Sequence, residues 1–279
     1  MMTANTNAHA LADFSGTLVL VGAGKMGGAM LEGWLALGLD VKKVVVIEPQ
    51  PASEITALVQ RGVRLNPSTA IGEATALVIA VKPQVAPDVL PLIRPYVGSS
   101  TIAVSIMAGR PLRFIEQALP GAALVRAMPN TPAALARGIT VAVGNAYVSA
   151  PQRELVDTLL SATGAVEWIA DEALMDAVTA LSGSGPAYIF LLAEAMARAG
   201  AAAGLPPALA DTLARATVAG SGELLRRSTL DAATLRQNVT SPGGTTAAAL
   251  EVLMAKDGLE SLMTKAIAAA TRRSRELAG

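Results

Sequence analysis

Residues 18–30 read LVLVGAGKMGGAM, an apolar β-branched run, a glycine cluster and then a helical pattern. Gly22-Ala23-Gly24-Lys25-Met26-Gly27 is G-x-G-x-x-G placed between a strand and a helix. In that context it reads as the opening of a βαβ unit that binds a dinucleotide. Gly22 permits the tight turn, Gly24 lets the backbone approach a pyrophosphate, and Gly27 lets helix and strand pack closely.

The alternation continues through the first half. Apolar runs predict strands at 17–21, 44–47, 76–81, 101–105 and 123–127, with shorter ones at 139–143 and 166–169. Helical patterns fall at 25–36, 53–61 and 151–162. Strands alternating with helices imply a Rossmann-like α/β domain with a doubly wound, mostly parallel sheet. From Asp171 the β-branched runs stop, and alanine- and leucine-rich helices are predicted at 171–181, 186–203, 207–227, 231–238, 245–255 and 259–277. The expected organisation is a flexible tail at 1–15, a dinucleotide-binding domain at 16–170 and an all-α domain at 171–279. So much apolar helix with so little charge calls for a partner, and a homo-oligomer supplies one.

Composition removes several chemistries. There is no cysteine, so disulfides and thiol nucleophiles are excluded. The single histidine, His9, lies in the tail, which leaves the folded body without a Ser-His-Asp triad or a histidine metal site. Any chemistry must use a cofactor, hydroxyls, carboxylates, Lys, Arg, Tyr and backbone. Basic and acidic residues balance at 22 each, which argues against nucleic-acid and anionic-membrane surfaces. The apolar run at 186–210 is broken by Glu194, Arg198, Gly200, Gly204 and Pro206, and suits a buried helix better than a membrane span. No stretch reads as a signal peptide, and a soluble cytoplasmic protein is expected.

Ligands of such sheets bind beyond the carboxyl ends of the strands. Ala80-Val81-Lys82-Pro83, SIMAG (105–109, with Met107, Ala108 and Gly109) and RAMPNTP (126–132, with Asn130) each follow a predicted strand and should line one crevice. Glu48 ends the second strand, 21 positions after Gly27, where an acid grips the adenosine ribose of NAD and repels the extra phosphate of NADP. NADH is therefore favoured over NADPH. SPGGTT (241–246) opens a helix with three hydroxyls and two glycines. It reads either as a capping turn or as a backbone cradle for an anion.

GAGKMG, AVKP, SIMAG, MPNTP, AVTALSGSGPAYIF (177–190) and NVTSPGGTT (238–246) occur together and in this order. With them the chain resembles a pyrroline-5-carboxylate reductase from residue 17 to the C-terminal helices. The resemblance implies reduction of 1-pyrroline-5-carboxylate to L-proline by NADH or NADPH. It implies a Rossmann domain, a helical dimerisation domain, and dimers that often assemble into decamers. Carried onto this chain, residues 22–27, 80–83 and 107–109 would hold the cofactor, and Asn238 would reach the cofactor of the neighbouring subunit. Glu172, Thr245 and Thr246 would contact the substrate, with Ser241 and Gly244 nearby. Members that favour NADP often carry a small hydroxyl or basic residue in place of Glu48, and many carry a neutral amide in place of Lys25.

The implied substrate is a small ring with one carboxylate and one C=N bond. An iminium carbon is already electrophilic, so hydride can pass without a strong general acid. Thr246 is expected to hydrogen-bond the ring nitrogen, and Glu172 to favour its protonated form. A β-hydroxyacid dehydrogenase would want a lysine base at the start of the helical domain, yet no lysine lies between Lys82 and Lys256. A non-catalytic dinucleotide-binding module is the rival from another class.

Overall fold

The computed structural model describes residues 9–278. Short apolar runs form β1 (Leu18–Val21), β2 (Val44–Ile47) and β4 (Ala76–Ile79), and the short β3 (Arg64–Leu65) lies between β2 and β4 in sequence. β5 (Ile102–Ser105), β6 (Ala123–Met128), β7 (Gly138–Gly144) and β8 (Gly164–Trp168) complete one sheet. Its order is β3-β2-β1-β4-β5-β6-β7-β8. All neighbours pair in parallel except β6 and β7. Chain order reverses between β1 and β4, which creates the switch point of a doubly wound fold.

The strands read as continuous apolar runs because both faces are covered. Leu18 and Leu20 enter one core, while Val19 and Val21 enter the other. On the first face lie α1 (Lys25–Ala36), through Met30, Leu31 and Trp34, and α5 (Ala150–Ser161), through Val156, Leu159 and Leu160. Between them in sequence come α2 (Ser53–Val59), α3 (Ala86–Ile93) and α4 (Leu112–Ala118). Leu90, Ile93, Leu112 and Ile115 cover the second face. Trp34 is fully buried, and its indole N–H donates to the Leu159 carbonyl at 2.8 Å, so the largest apolar side chain on α1 leaves no polar atom unpaired.

Several expectations need correction. Residues 1–8 of the expected tail lie outside the described residues, but a tail reaching residue 15 is too long. Leu11 and Phe14 are buried in the first core, and the Leu11 N–H donates to the Leu37 carbonyl at 2.9 Å. Helices α3 and α4 and the short strand β3 were not expected. The helix expected at 171–181 is instead a 3₁₀ turn (Glu172–Leu174), a short α6 (Met175–Val178) and a π turn (Thr179–Gly183).

The change of composition at Ala170 marks where strands stop, not where the packing changes. Met175 and Ala180 are fully buried, Met175 in the second core, and the first compact unit runs on to Gly183 and takes back residues from Thr271 onward. Within that unit, Ser274 donates its hydroxyl to Asp176 at 2.7 Å.

The other unit, from Ser184 to Ala270, is helical. It contains α7 (Gly185–Ala202), α8 (Pro207–Arg227), α9 (Ala232–Asn238), α10 (Thr245–Leu253) and the first part of α11 (Leu259–Ala278). The α7–α8 turn uses Gly204 at φ +103°, a left-handed conformation that glycine adopts without strain. None of α7 is buried within one chain, and Phe190, Leu191, Leu213 and Leu224 stand in solvent. Among the described residues no helix is long and apolar enough to cross a membrane.

Candidate active site

The glycine fingerprint folds as its spacing requires. Gly22 has φ +90°, and a Cβ there would lie 2.7 Å from the Ala80 carbonyl oxygen. A Cβ on Gly27 would lie 2.2 Å from the Gly22 carbonyl oxygen, so this glycine lets α1 pack onto the turn. Gly24 differs: it caps α1, and a Cβ there would meet no protein atom within 4 Å. Protein packing does not demand this glycine; the space a side chain would take opens into a cavity.

That cavity, about 560 Å³, lies at the carboxyl ends of the strands around the switch point. Gly24, Lys25 and Met26 line it from α1's start, and Ala80, Val81, Lys82 and Pro83 from the loop after β4. Ile106, Met107 and Ala108 line it after β5, and Met128 to Thr131, including Asn130, after β6. Its charged lining residues are both cations, Lys25 and Lys82. Helix α1 points its first N–H groups this way and carries no acid in its first turn. A dinucleotide's phosphates fit such a lining.

Other expected cofactor residues are not part of this lining. Gly22, Ala23 and Gly27 shape the turn, and Gly109, at φ +68°, shapes the bend after β5. Glu48 lies at the end of β2, and its carboxylate accepts from the Ala23 N–H at 2.9 Å and the Gln50 N–H at 3.0 Å. Asn66 braces the same corner: it accepts from the Glu48 N–H at 2.9 Å and donates to the Glu48 carbonyl at 2.8 Å. The acid is thus held against the glycine turn.

Asn130 is partly spent on structure. Its carbonyl oxygen accepts from the Ile139 N–H at 3.0 Å, and its amide lies 3.4 Å from the Ser182 carbonyl and hydroxyl oxygens. Ser182 belongs to the π turn, whose last residue, Gly183, also lines the cavity. Gly183 was not expected there. The SGSG stretch was the available signal, and a π turn inside a helical segment often marks a functional site.

Glu172 makes two contacts within the protein. One carboxylate oxygen accepts from both Arg126 Nη1 at 2.9 Å and the Leu112 N–H at 2.8 Å. Arg126 is buried on β6. Glu172 is absent from the cavity lining, and its carboxylate compensates Arg126 and the start of α4.

In the helical unit the SPGGTT turn has a specific form. Gly243 adopts φ +68°, the Gly244 N–H donates to the Ser241 carbonyl at 3.0 Å, and Gly244 is the N-cap of α10. No hydroxyl occupies the cap position. Ser241 sits three residues before it, and Thr245 and Thr246 are the first two helical residues. Asn238 ends α9 and is exposed.

Comparison with known proteins agrees with this layout. Residues 172–277 match the family model for pyrroline-5-carboxylate reductase dimerisation, and residues 17–109 match the model described as NADP oxidoreductase, coenzyme F420-dependent. A pyrroline-5-carboxylate reductase of Pseudomonas aeruginosa is 39% identical over 94% of this chain and 96% of its own. One from Synechocystis is 40% identical over 90% of this chain and 96% of its own. Among solved structures, the reductase of Coxiella burnetii superposes with TM-score 0.87 at 32% identity, covering 95% of this chain and 99% of its own. With identity of this order along nearly the whole length, the chain belongs to the pyrroline-5-carboxylate reductase family.

Proposed function

We propose that this protein reduces 1-pyrroline-5-carboxylate to L-proline with NADH in preference to NADPH, in the cytoplasm, as a homodimer whose dimers build decamers. The observation that carries the reading is the glycine-framed, cation-lined cavity at the sheet's switch point in a chain of this family. When bound there, the reduced nicotinamide supplies the hydride. The chain's own contribution is binding, orientation and electrostatics. Lys25, Lys82 and the first N–H groups of α1 balance the phosphate charge. The backbone from Gly243 to Thr246 and the start of α10 take the substrate carboxylate without a cationic side chain. Thr246 hydrogen-bonds the ring nitrogen, accepting from the iminium N–H or donating to the product amine. The C=N carbon gains hydride, the nitrogen keeps its proton, and no histidine is required.

The preference for NADH rests on Glu48. The Ala23 and Gln50 N–H groups fix its charge at the strand end where a 2′-phosphate would lie. The reductase of Plasmodium falciparum, 29% identical with TM-score 0.79 over 94% of this chain and 98% of its own, was solved with NADP bound, so the fold itself accepts that cofactor. Dimerisation is supported by the match to the dimerisation model and by the uncovered apolar side chains of α7 and α8. Mixing the protein with pyrroline-5-carboxylate and NADH, and following loss of nicotinamide absorbance, tests the reading. Absence of oxidation with either cofactor would refute it.

A further inference from the structure

Two walls of the cofactor cavity come from loops after neighbouring parallel strands. Lys82 and Pro83 follow β4, and Met107 and Ala108 follow β5. One side chain braces them. Arg110 reaches back across the gap, donating from Nε at 3.3 Å and from Nη2 at 3.1 Å to the Pro83 carbonyl. Its guanidinium lies over the Phe114 ring, 4.5 Å from the ring centre. The backbone on each side is stiff. Gly109 before it turns at φ +68°, where a Cβ would lie 3.4 Å from that of Leu277, while Pro111 after it caps α4 and biases Arg110 toward extended backbone.

We infer that Arg110 is a positioning residue for the cofactor pocket: its two-pronged grip on the Pro83 carbonyl holds the Lys82–Pro83 loop against the turn after β5. The inference rests on the reading of that cavity as the dinucleotide site. Arginine suits the task where lysine does not. The planar fork directs two N–H groups at one acceptor while its face stacks on Phe114, and a lysine ammonium cannot do both. Without the brace the loop carrying Lys82 gains freedom that cofactor binding must remove, so affinity for the cofactor falls.

The test measures NADH binding to the full-length protein by nicotinamide fluorescence, at several salt concentrations, beside steady-state kinetics. For Arg110→Ala we expect Kd for NADH to rise about tenfold, the scale of ordering one or two side chains on binding. KM for pyrroline-5-carboxylate should move by less than about twofold, and the melting temperature should hold, which separates positioning from general damage. Arg110→Lys restores the charge without the fork and should keep most of the defect. The slope of log Kd against log salt should stay at its wild-type value in both variants, because the brace does not touch phosphate. Phe114→Leu, which removes the stacking ring, should weaken NADH binding in the same selective way and serves if Arg110→Ala does not fold. Unchanged NADH affinity in the folded variants overturns the inference. So does full rescue by lysine with a flatter salt slope in Arg110→Ala, which would make Arg110 a direct phosphate ligand. Wild-type protein that binds no NADH overturns the cofactor reading itself, a result distinct from either.

Discussion

Thr246 and Glu48 carry the most exposed claims about single residues. As the second residue of α10, Thr246 has no capping duty, since Gly244 holds the cap position. The hydrogen bond proposed from its hydroxyl to the ring nitrogen thus competes with no capping role. Thr246→Ala should lower kcat/KM by about 1–3 kcal/mol of transition-state stabilisation, the range for an unpaired polar contact, with cofactor affinity unchanged. Normal kcat/KM in the folded variant would return Thr246 to a helix-start role. For Glu48, the wild type should show a lower KM for NADH than for NADPH. Glu48→Ser should narrow that gap by removing the charge that opposes the 2′-phosphate. A wild type that already favours NADPH would overturn the assignment of cofactor choice to Glu48.

At the scale of elements, Glu172 shows how one side chain joins segments far apart in sequence. The N-cap of α4 is Pro111, which has no side-chain acceptor, and the Glu172 carboxylate supplies one from 60 positions away. The same oxygen compensates buried Arg126 on β6. Glu172→Ala should therefore cost about 3 kcal/mol of stability in urea unfolding at fixed protein concentration, the low end for breaking such a pair, because Glu172 is partly exposed. Glu172→Gln, which keeps an acceptor for the Leu112 N–H, should cost less. A large fall in kcat with stability intact would support the substrate contact expected of Glu172.

This pairing was not legible in the sequence, where the family resemblance implies a substrate contact for Glu172. The main strands of the first six-strand stretch were legible because two-sided burial leaves an unbroken apolar run, and the glycine fingerprint because its backbone angles admit little else. Helix α3 was hidden by Pro87 and Pro91, which look like loop residues, and α4 by its brevity and the proline before it. The antiparallel course of β7 left no mark, since side-chain periodicity carries no direction. The loops lining the cavity could be placed because they follow strands. Arg110 could not, because a hydrogen bond across 27 positions has no local pattern.

The whole molecule raises the question of which subunit supplies the SPGGTT turn. Exposed apolar side chains on α7 and α8 call for a second copy, and we propose that its helical domain serves the first copy's cofactor domain. Two variants can decide this. Gly24→Asp places a carboxylate in the space proposed for the pyrophosphate, at a backbone angle (φ −68°) that any residue tolerates. Thr246→Glu places one at the anion cradle, in a helical first turn that welcomes an acid. Each homodimer should be inactive and folded. In a mixed dimer with shared sites, the intact cofactor domain of one chain meets the intact cradle of the other, and one of the two sites is whole. Isolated mixed dimers should therefore show about half of wild-type activity under two-fold symmetry, and the unsorted random mixture, about half of whose dimers are mixed, about a quarter. Co-refolding the variants with two different affinity tags, isolating doubly tagged dimers and measuring NADH oxidation gives the answer. Doubly tagged dimers without activity would show that each chain builds its site alone, and the cradle would then serve its own subunit.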